Sequence, residues 1–171
     1  MLLMFRQDLM TLEIFKGLRQ EQIELLYPLV DLASFTDNQV IFDQGQSADY
    51  LYILKDGEVE IRYKPYDGPY LTVARILAGG VFGWSAALHH ESYTSAAVST
   101  CRCSALRITG EKLQQLCEAY PETGVIILER LAEVISERLH ATHEQVLKLL
   151  SGRLGSDLPN QKGIRENDCT K

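Results

Sequence analysis

The chain has 171 residues, with 17 Lys+Arg against 23 Asp+Glu for a net charge of −6, and 46% of its residues are hydrophobic. That is the balance of one ordinary globular domain, and its acidity argues against a dedicated nucleic-acid binder, whose affinity rests on phosphate contacts. No apolar run approaches the ~18 residues of a membrane span. Met1–Phe5 is cut off by Arg6 and Asp8 before it reaches the roughly 7–15 apolar residues of a secretory signal, so the expected location is the cytoplasm.

The N-terminal segment, 1–38, reads as helical. Leu12, Ile14, Phe15 and Leu18 lead into a stripe of Ile23, Leu26 and Val30 at helical spacing. Phe35-Thr36-Asp37-Asn38 closes it with turn chemistry. Over 39–110 the period falls to two. Strands are expected at Val40-Ile41-Phe42, Tyr50–Leu54, Val59–Tyr63, Leu71–Leu77, Val81-Phe82, Ala96–Ser99 and Ser104–Ile108. Asp56-Gly57 and Asp67-Gly68 each read as a hairpin turn between strands, and Gly79-Gly80 as a further turn. Many short strands at this spacing predict a β-roll or barrel.

Helix returns over 111–152. Glu111–Tyr120 is one segment, broken at Pro121, and a long helix follows from Gly124 to about Ser151. Val125, Leu128, Ala132, Ile135, Leu139, Thr142, Val146 and Leu149 repeat alternately at three and four residues, a heptad seam with one polar member. About 27 helical residues extend some 40 Å, which predicts a homodimer contact through 125–149. The competing reading packs half the seam on the chain's own roll. The segment 153–171 is polar and without periodicity, and is expected to be a tail. It is too short for a DNA-binding domain of roughly 60 residues, so no DNA binding is expected of this chain.

Cys101, Cys103, Cys117 and Cys169 form no CxxC pair, the adjacent His89 and His90 of His89-His90-Glu91 diverge as neighbours usually do, and His143, three residues from His140, stands beside the heptad seam rather than in it. No metal is expected. Neither a GxSxG elbow nor a phosphate-cradling Walker loop is present, so no enzyme activity is expected.

Three stretches together resemble the cyclic nucleotide-binding domain, and in particular the effector domain of the bacterial Crp/Fnr regulators. They are Ile41-Phe42-Asp43-Gln44-Gly45, the run from Ala48 to Glu60, and Gly79-Gly80-Val81-Phe82-Gly83. The likeness covers about residues 12–150. It implies an α+β, mainly β fold: a jelly-roll-like double-stranded β-helix, with N-terminal helices and a long C-terminal dimer helix. It also implies a ligand site after Phe82-Gly83, where a short helix offers free amides to a cyclic phosphate.

The family's cassette reads Phe-Gly-Glu-Leu-Ala-Leu and later Pro-Arg-Ala, the Glu taking a ribose hydroxyl and the Arg the phosphate. Here Trp84 stands at the Glu position and Tyr93 at the Arg position, and no Arg or Lys occurs between Arg75 and Arg102. Losing two charged anchors costs about 2–5 kcal/mol, which turns a micromolar site sub-millimolar or weaker. Tight cAMP or cGMP binding is therefore not expected.

The candidate ligand-binding residues are Phe82, Gly83, Trp84, Ser85, Ala86, Tyr93, Thr94 and Ser95, with Arg138 and Thr142 from the long helix. Amides at Ser85 and Ala86 and the hydroxyls of Ser85, Tyr93, Thr94 and Ser95 would suit a cyclic nucleotide or another small anionic or polar ligand. Trp84 and Tyr93 would stack on a flat ring. Arg138 either restores the missing positive charge or pairs at the surface with Glu133 or Glu137. Two functions follow from these residues. One is a regulatory sensor module that couples a ligand to the dimer helix and is read by a protein partner. The other is a ligand-silent interaction dimer whose pocket Trp84 fills.

Overall fold

The computed structural model describes residues 9–154. After a 3₁₀ turn at Glu13–Phe15 come helix α1 (Gln20–Leu26) and a second 3₁₀ turn at Tyr27–Leu29. Eight strands follow: β1 (Asp31–Phe35), β2 (Val40–Phe42), β3 (Tyr50–Asp56), β4 (Glu58–Tyr63), β5 (Leu71–Leu77), β6 (Val81–Phe82), β7 (Ala96–Ser99) and β8 (Cys103–Thr109). Helices α2 (Gly110–Ala119) and α3 (Pro121–Leu154) complete the chain. Among the described residues no helix is long and apolar enough to cross a membrane.

The strands form two antiparallel four-stranded sheets, β1-β8-β3-β6 and β2-β7-β4-β5, the β-roll that the turn spacing predicts. In the first sheet the central strand β3 is buried on both faces. Along β3, Leu51 and Ile53 pack with Ile14, Phe15, Ile127 and Leu131 under the helices, while Tyr52 and Leu54 point into the roll with Phe42, Val59 and Phe82. Burial on two faces explains why β3 is a continuous apolar run rather than an alternating one. The second sheet keeps an outer face in solvent. There Glu60 sits between Arg62 (2.9 and 2.8 Å) and Arg75 (3.1 Å). The Arg62 hydrogen bonds hold its carboxyl below the usual carboxylate range.

Two sequence expectations change. The turn at Asp56-Gly57 is not a hairpin, because β3 and β4 belong to different sheets. It is the corner where the chain crosses from one layer to the other. Gly57 has φ +87°, and a Cβ there would lie 2.4 Å from the Cys103 Cβ and 2.9 Å from the Arg102 carbonyl oxygen. The same Gly serves either topology, since both need a positive φ. Asp67-Gly68 does lie in the hairpin loop between the paired strands β4 and β5. The second change is β1. Residues 31–35, which the sequence reading places in the helical segment 1–38 with its closing turn at Phe35–Asn38, pair in full register with β8 from Asp31↔Arg107 to Phe35↔Cys103. Its mostly exposed pattern gives only a weak strand signal.

Helix α2 starts at Thr109, whose hydroxyl accepts from the Lys112 amide at 3.2 Å. Helix α3 opens on Pro121, a residue suited to the first turn because its missing N–H has no partner there anyway. The inward stripe of α3 is Ile127 and Leu131, both buried, with Val134 packed beside them. Its N-terminal half is tied to the first helices by a buried Gln22–Thr123 hydrogen bond at 3.0 Å and by Arg130 Nε donating to the Lys16 carbonyl at 3.1 Å.

Candidate functional site

The site lies where β6 ends, and a backbone constraint sets its position. Gly83 has φ +74°, and a Cβ there would meet the Tyr50 carbonyl oxygen at 2.8 Å and the Tyr52 ring at 3.0 Å. Only glycine lets the chain turn this closely over β3. Residues 84–89 then form turns, in place of the short helix that the resemblance implies. The Ala86 amide donates to the Gly83 carbonyl at 3.2 Å, and the Leu88 amide to Trp84 at 3.0 Å.

Phe82, Gly83, Trp84 and Ser85 converge with Tyr93, Thr94, Ser95 and Arg138 on one cavity, completed by Phe42 and Ile61. Its volume is about 20 Å³, room for about one water where a small-molecule site usually offers about 300–1,000 Å³. Two of the ten candidate residues do not line it. Ala86 is buried in the turn with its amide spent on Gly83. Thr142 donates its hydroxyl to the Arg138 carbonyl at 2.9 Å and faces a neighbouring groove. Phe42 and Ile61 were absent from the sequence-based set. Their strand pattern marks them as core, and only the folding of β2 and β4 over Phe82 brings them to the cavity wall.

Arg138 seals the cavity. Its guanidinium lies 4.4 Å over the Trp84 ring, and one terminal nitrogen donates to the Val81 carbonyl oxygen at 2.7 Å. The surface ion pair expected with Glu133 or Glu137 does not form; Glu133 instead accepts from Arg130 at 2.7 Å. Among the described residues no carboxylate stands in an ion pair with Arg138. Burial lowers its pKa to about 10, well above neutral pH, so it remains a cation. A desolvated cation on an indole face contributes about 0.5–2 kcal/mol, and a charged hydrogen bond about 1.5–3 kcal/mol.

Tyr93 plays a different part from the one expected. Its ring stacks on Phe42 at 3.7 Å between centroids. Its hydroxyl accepts from the Tyr50 amide at 2.9 Å and donates to the Tyr50 carbonyl at 2.8 Å. Burial raises its pKa above the ordinary tyrosine value. The hydroxyl is committed to the backbone of β3, so Tyr93 offers the cavity a ring rather than a hydrogen-bond donor. Its expected stacking with Trp84 around a flat ligand gives way to Trp84–Arg138 on one side and Tyr93–Phe42 on the other. The polar groups left at the cavity are the hydroxyls of Ser85, Thr94 and Ser95 and the Arg138 guanidinium, with no acidic side chain in the lining. Such a lining favours an anion. The histidines and cysteines assemble no metal-binding group of three or more ligands among the described residues.

Comparison with known proteins agrees with the fold. The chain is 29% identical over 134 residues to the cAMP-activated global transcriptional regulator CRP of Haemophilus influenzae, covering 75% of this chain and 58% of that regulator. It is 26% identical over 116 residues to the potassium channel AKT2 of Oryza sativa, covering 68% of this chain and 14% of the channel. A cyclic nucleotide-binding domain from Methylobacillus flagellatus superposes with a TM-score of 0.77 at 19% identity, covering 85% of this chain and 84% of that one. A putative cyclic nucleotide-binding protein from Geobacter metallireducens superposes at 0.70 with 28% identity, covering 79% and 98%. The family description "Cyclic nucleotide-binding domain" matches residues 32–120, and the chain belongs to the cyclic nucleotide-binding domain family.

Proposed function

We propose that this is a cytoplasmic regulatory domain, not a catalytic one, in which a small anionic ligand of the cyclic nucleotide type competes with Arg138 for the site and thereby moves α3. The observation that carries the reading is the double hold of Arg138 on Val81 and Trp84. One side chain of the long helix both fills the ligand's place and tethers that helix to the roll. An anion entering beside Ser85, Thr94 and Ser95 would draw the guanidinium off the Val81 carbonyl. The clamp's ~2–5 kcal/mol would lower the ligand's apparent affinity by about 1.5–3.5 decades. That agrees with the loss of the two charged residues of the family cassette.

A homodimer through α3 belongs to the same proposal. Val125, Leu128 and Leu139 are 54, 43 and 69% exposed, and Ala132 is exposed beside them. Ile135 is partly buried against the chain's own core, so the seam is shared between roll and solvent. The side chains of Val146 and Leu149 lie outside the described residues. A bare apolar stripe on this helix face suits a second copy.

Thermal unfolding with cAMP, cGMP and guanosine tests the reading. Saturation at 100 times Kd stabilises by about 2.7 kcal/mol. No shift with any of them at millimolar concentration would leave the ligand-silent interaction dimer as the function. Light scattering that finds a monomer would remove the dimer.

A further inference from the structure

We propose a second binding site, an open channel between β5 and α3 that takes an extended peptide from a partner protein as an added strand. It stands independently of whether the cavity at Trp84 admits a ligand. The channel holds about 580 Å³. Val73, Ala74 and Arg75 all line it. The channel reaches β5 at Val73, where the ladder to β4 is interrupted and the strand bends.

The outer edge of this strand is free. β5 is the last strand of its sheet and pairs only with β4. Val73 has no partner even in that ladder, where the register jumps from Ile61↔Ala74 to Arg62↔Thr72. Alternate residues of such an edge strand turn their N–H and C=O outward, so about half of the seven β5 residues present unpaired backbone groups on this side. The seven include neither Pro nor Lys, the usual guards of an exposed edge, and the one charge, Arg75, is turned onto β4, where it pairs with Glu58 and Glu60. The opposite wall is one face of α3, built by Val134, Glu137, Arg138 and Ala141. Ala78, Gly79 and Gly80 close the end with side chains too small to keep another backbone away. An edge strand facing a helix across such a space is the arrangement by which strand addition captures peptides.

The charges select the occupant. Arg75 and Arg138 are both engaged, and Glu13 pairs with Lys16 at 3.3 Å. Glu137 is exposed and has no ion-pair partner among the described residues. The site calls for a basic residue flanked by β-branched ones.

The probe is a short fluorescein-labelled peptide alternating Val and Thr around a central Lys, titrated into the full chain by anisotropy. Its control carries Pro at the alternate positions, which removes the ladder donors. Saturable binding is expected, weakened about tenfold or more by Glu137→Lys and by Ala141→Trp. Both residues are exposed, so both variants should unfold at the parent temperature, and Glu137→Lys keeps the test alive should the tryptophan variant misfold. Bound peptide should also slow hydrogen exchange at the amides of 73–76. No binding at about 1 mM, or equal binding of the proline control, overturns the proposal. So does protection of 73–76 in the free protein that Ala141→Trp abolishes together with a dimer, because a second copy would then cover the channel.

Discussion

Replacing Arg138 with Ala tests the clamp most directly, because Trp84 is the only tryptophan in the chain and reports its own contact. The substitution removes the 2.7 Å hydrogen bond to Val81 and the stacking at 4.4 Å, together about 2–5 kcal/mol. It also removes a cation whose desolvation opposes folding, as its lowered pKa records. The net loss should therefore be about 1–3 kcal/mol. Intrinsic fluorescence should move to longer wavelength and become more accessible to acrylamide, and the urea midpoint should fall. Arg138→Lys keeps the charge but not the planar stack, so it should fall between the two. A double-mutant cycle with Trp84→Leu should give a coupling of about 0.5–2 kcal/mol. An unchanged emission spectrum and midpoint in Arg138→Ala would refute the clamp, as would a Lys variant indistinguishable from the parent.

Tyr93→Phe keeps the ring on Phe42 but deprives the Tyr50 backbone of two partners, so equilibrium unfolding should show a loss of about 1–3 kcal/mol. A neutral result would mean that the hydroxyl is free for a ligand after all. Glu60 tests the outer face of the second sheet. Its folded pKa is lowered, chiefly by the Arg62 hydrogen bonds, so the unfolded chain takes up the proton first as pH falls. The stability it contributes is complete above the ordinary carboxylate pKa and disappears as pH drops through the folded value. Glu60→Gln should therefore be less stable than the parent at pH 7 and show a shallower acid limb; parallel pH profiles for the two proteins would contradict this account.

The sequence by itself determined the features that local physics controls. Short alternating or continuous apolar runs bounded by turn signals located seven of the eight strands, and the three-and-four spacing located the long helix. Positive-φ glycines appeared where the chain turns, and the Phe82-Gly83 turn marked where the site would form. Tertiary structure decided what depends on partners distant in the chain. An Asp-Gly turn looks the same in a hairpin and at a corner between layers, so only the pairing of β3 with β8 shows which Asp56-Gly57 is. β1 is a strand because β8 offers it a ladder, not because its exposed pattern demands one. Arg138 reads locally as one half of a surface ion pair. Its observed partners, Trp84 and the Val81 carbonyl 57 positions away, become available only when α3 lies across the mouth of the roll. Tyr93 likewise reads as a free hydroxyl until Tyr50 arrives from 43 positions away to claim it. Local periodicity carries which face of an element is buried; it carries nothing about which polar group will meet that face, and the closed state of this site rests on those meetings.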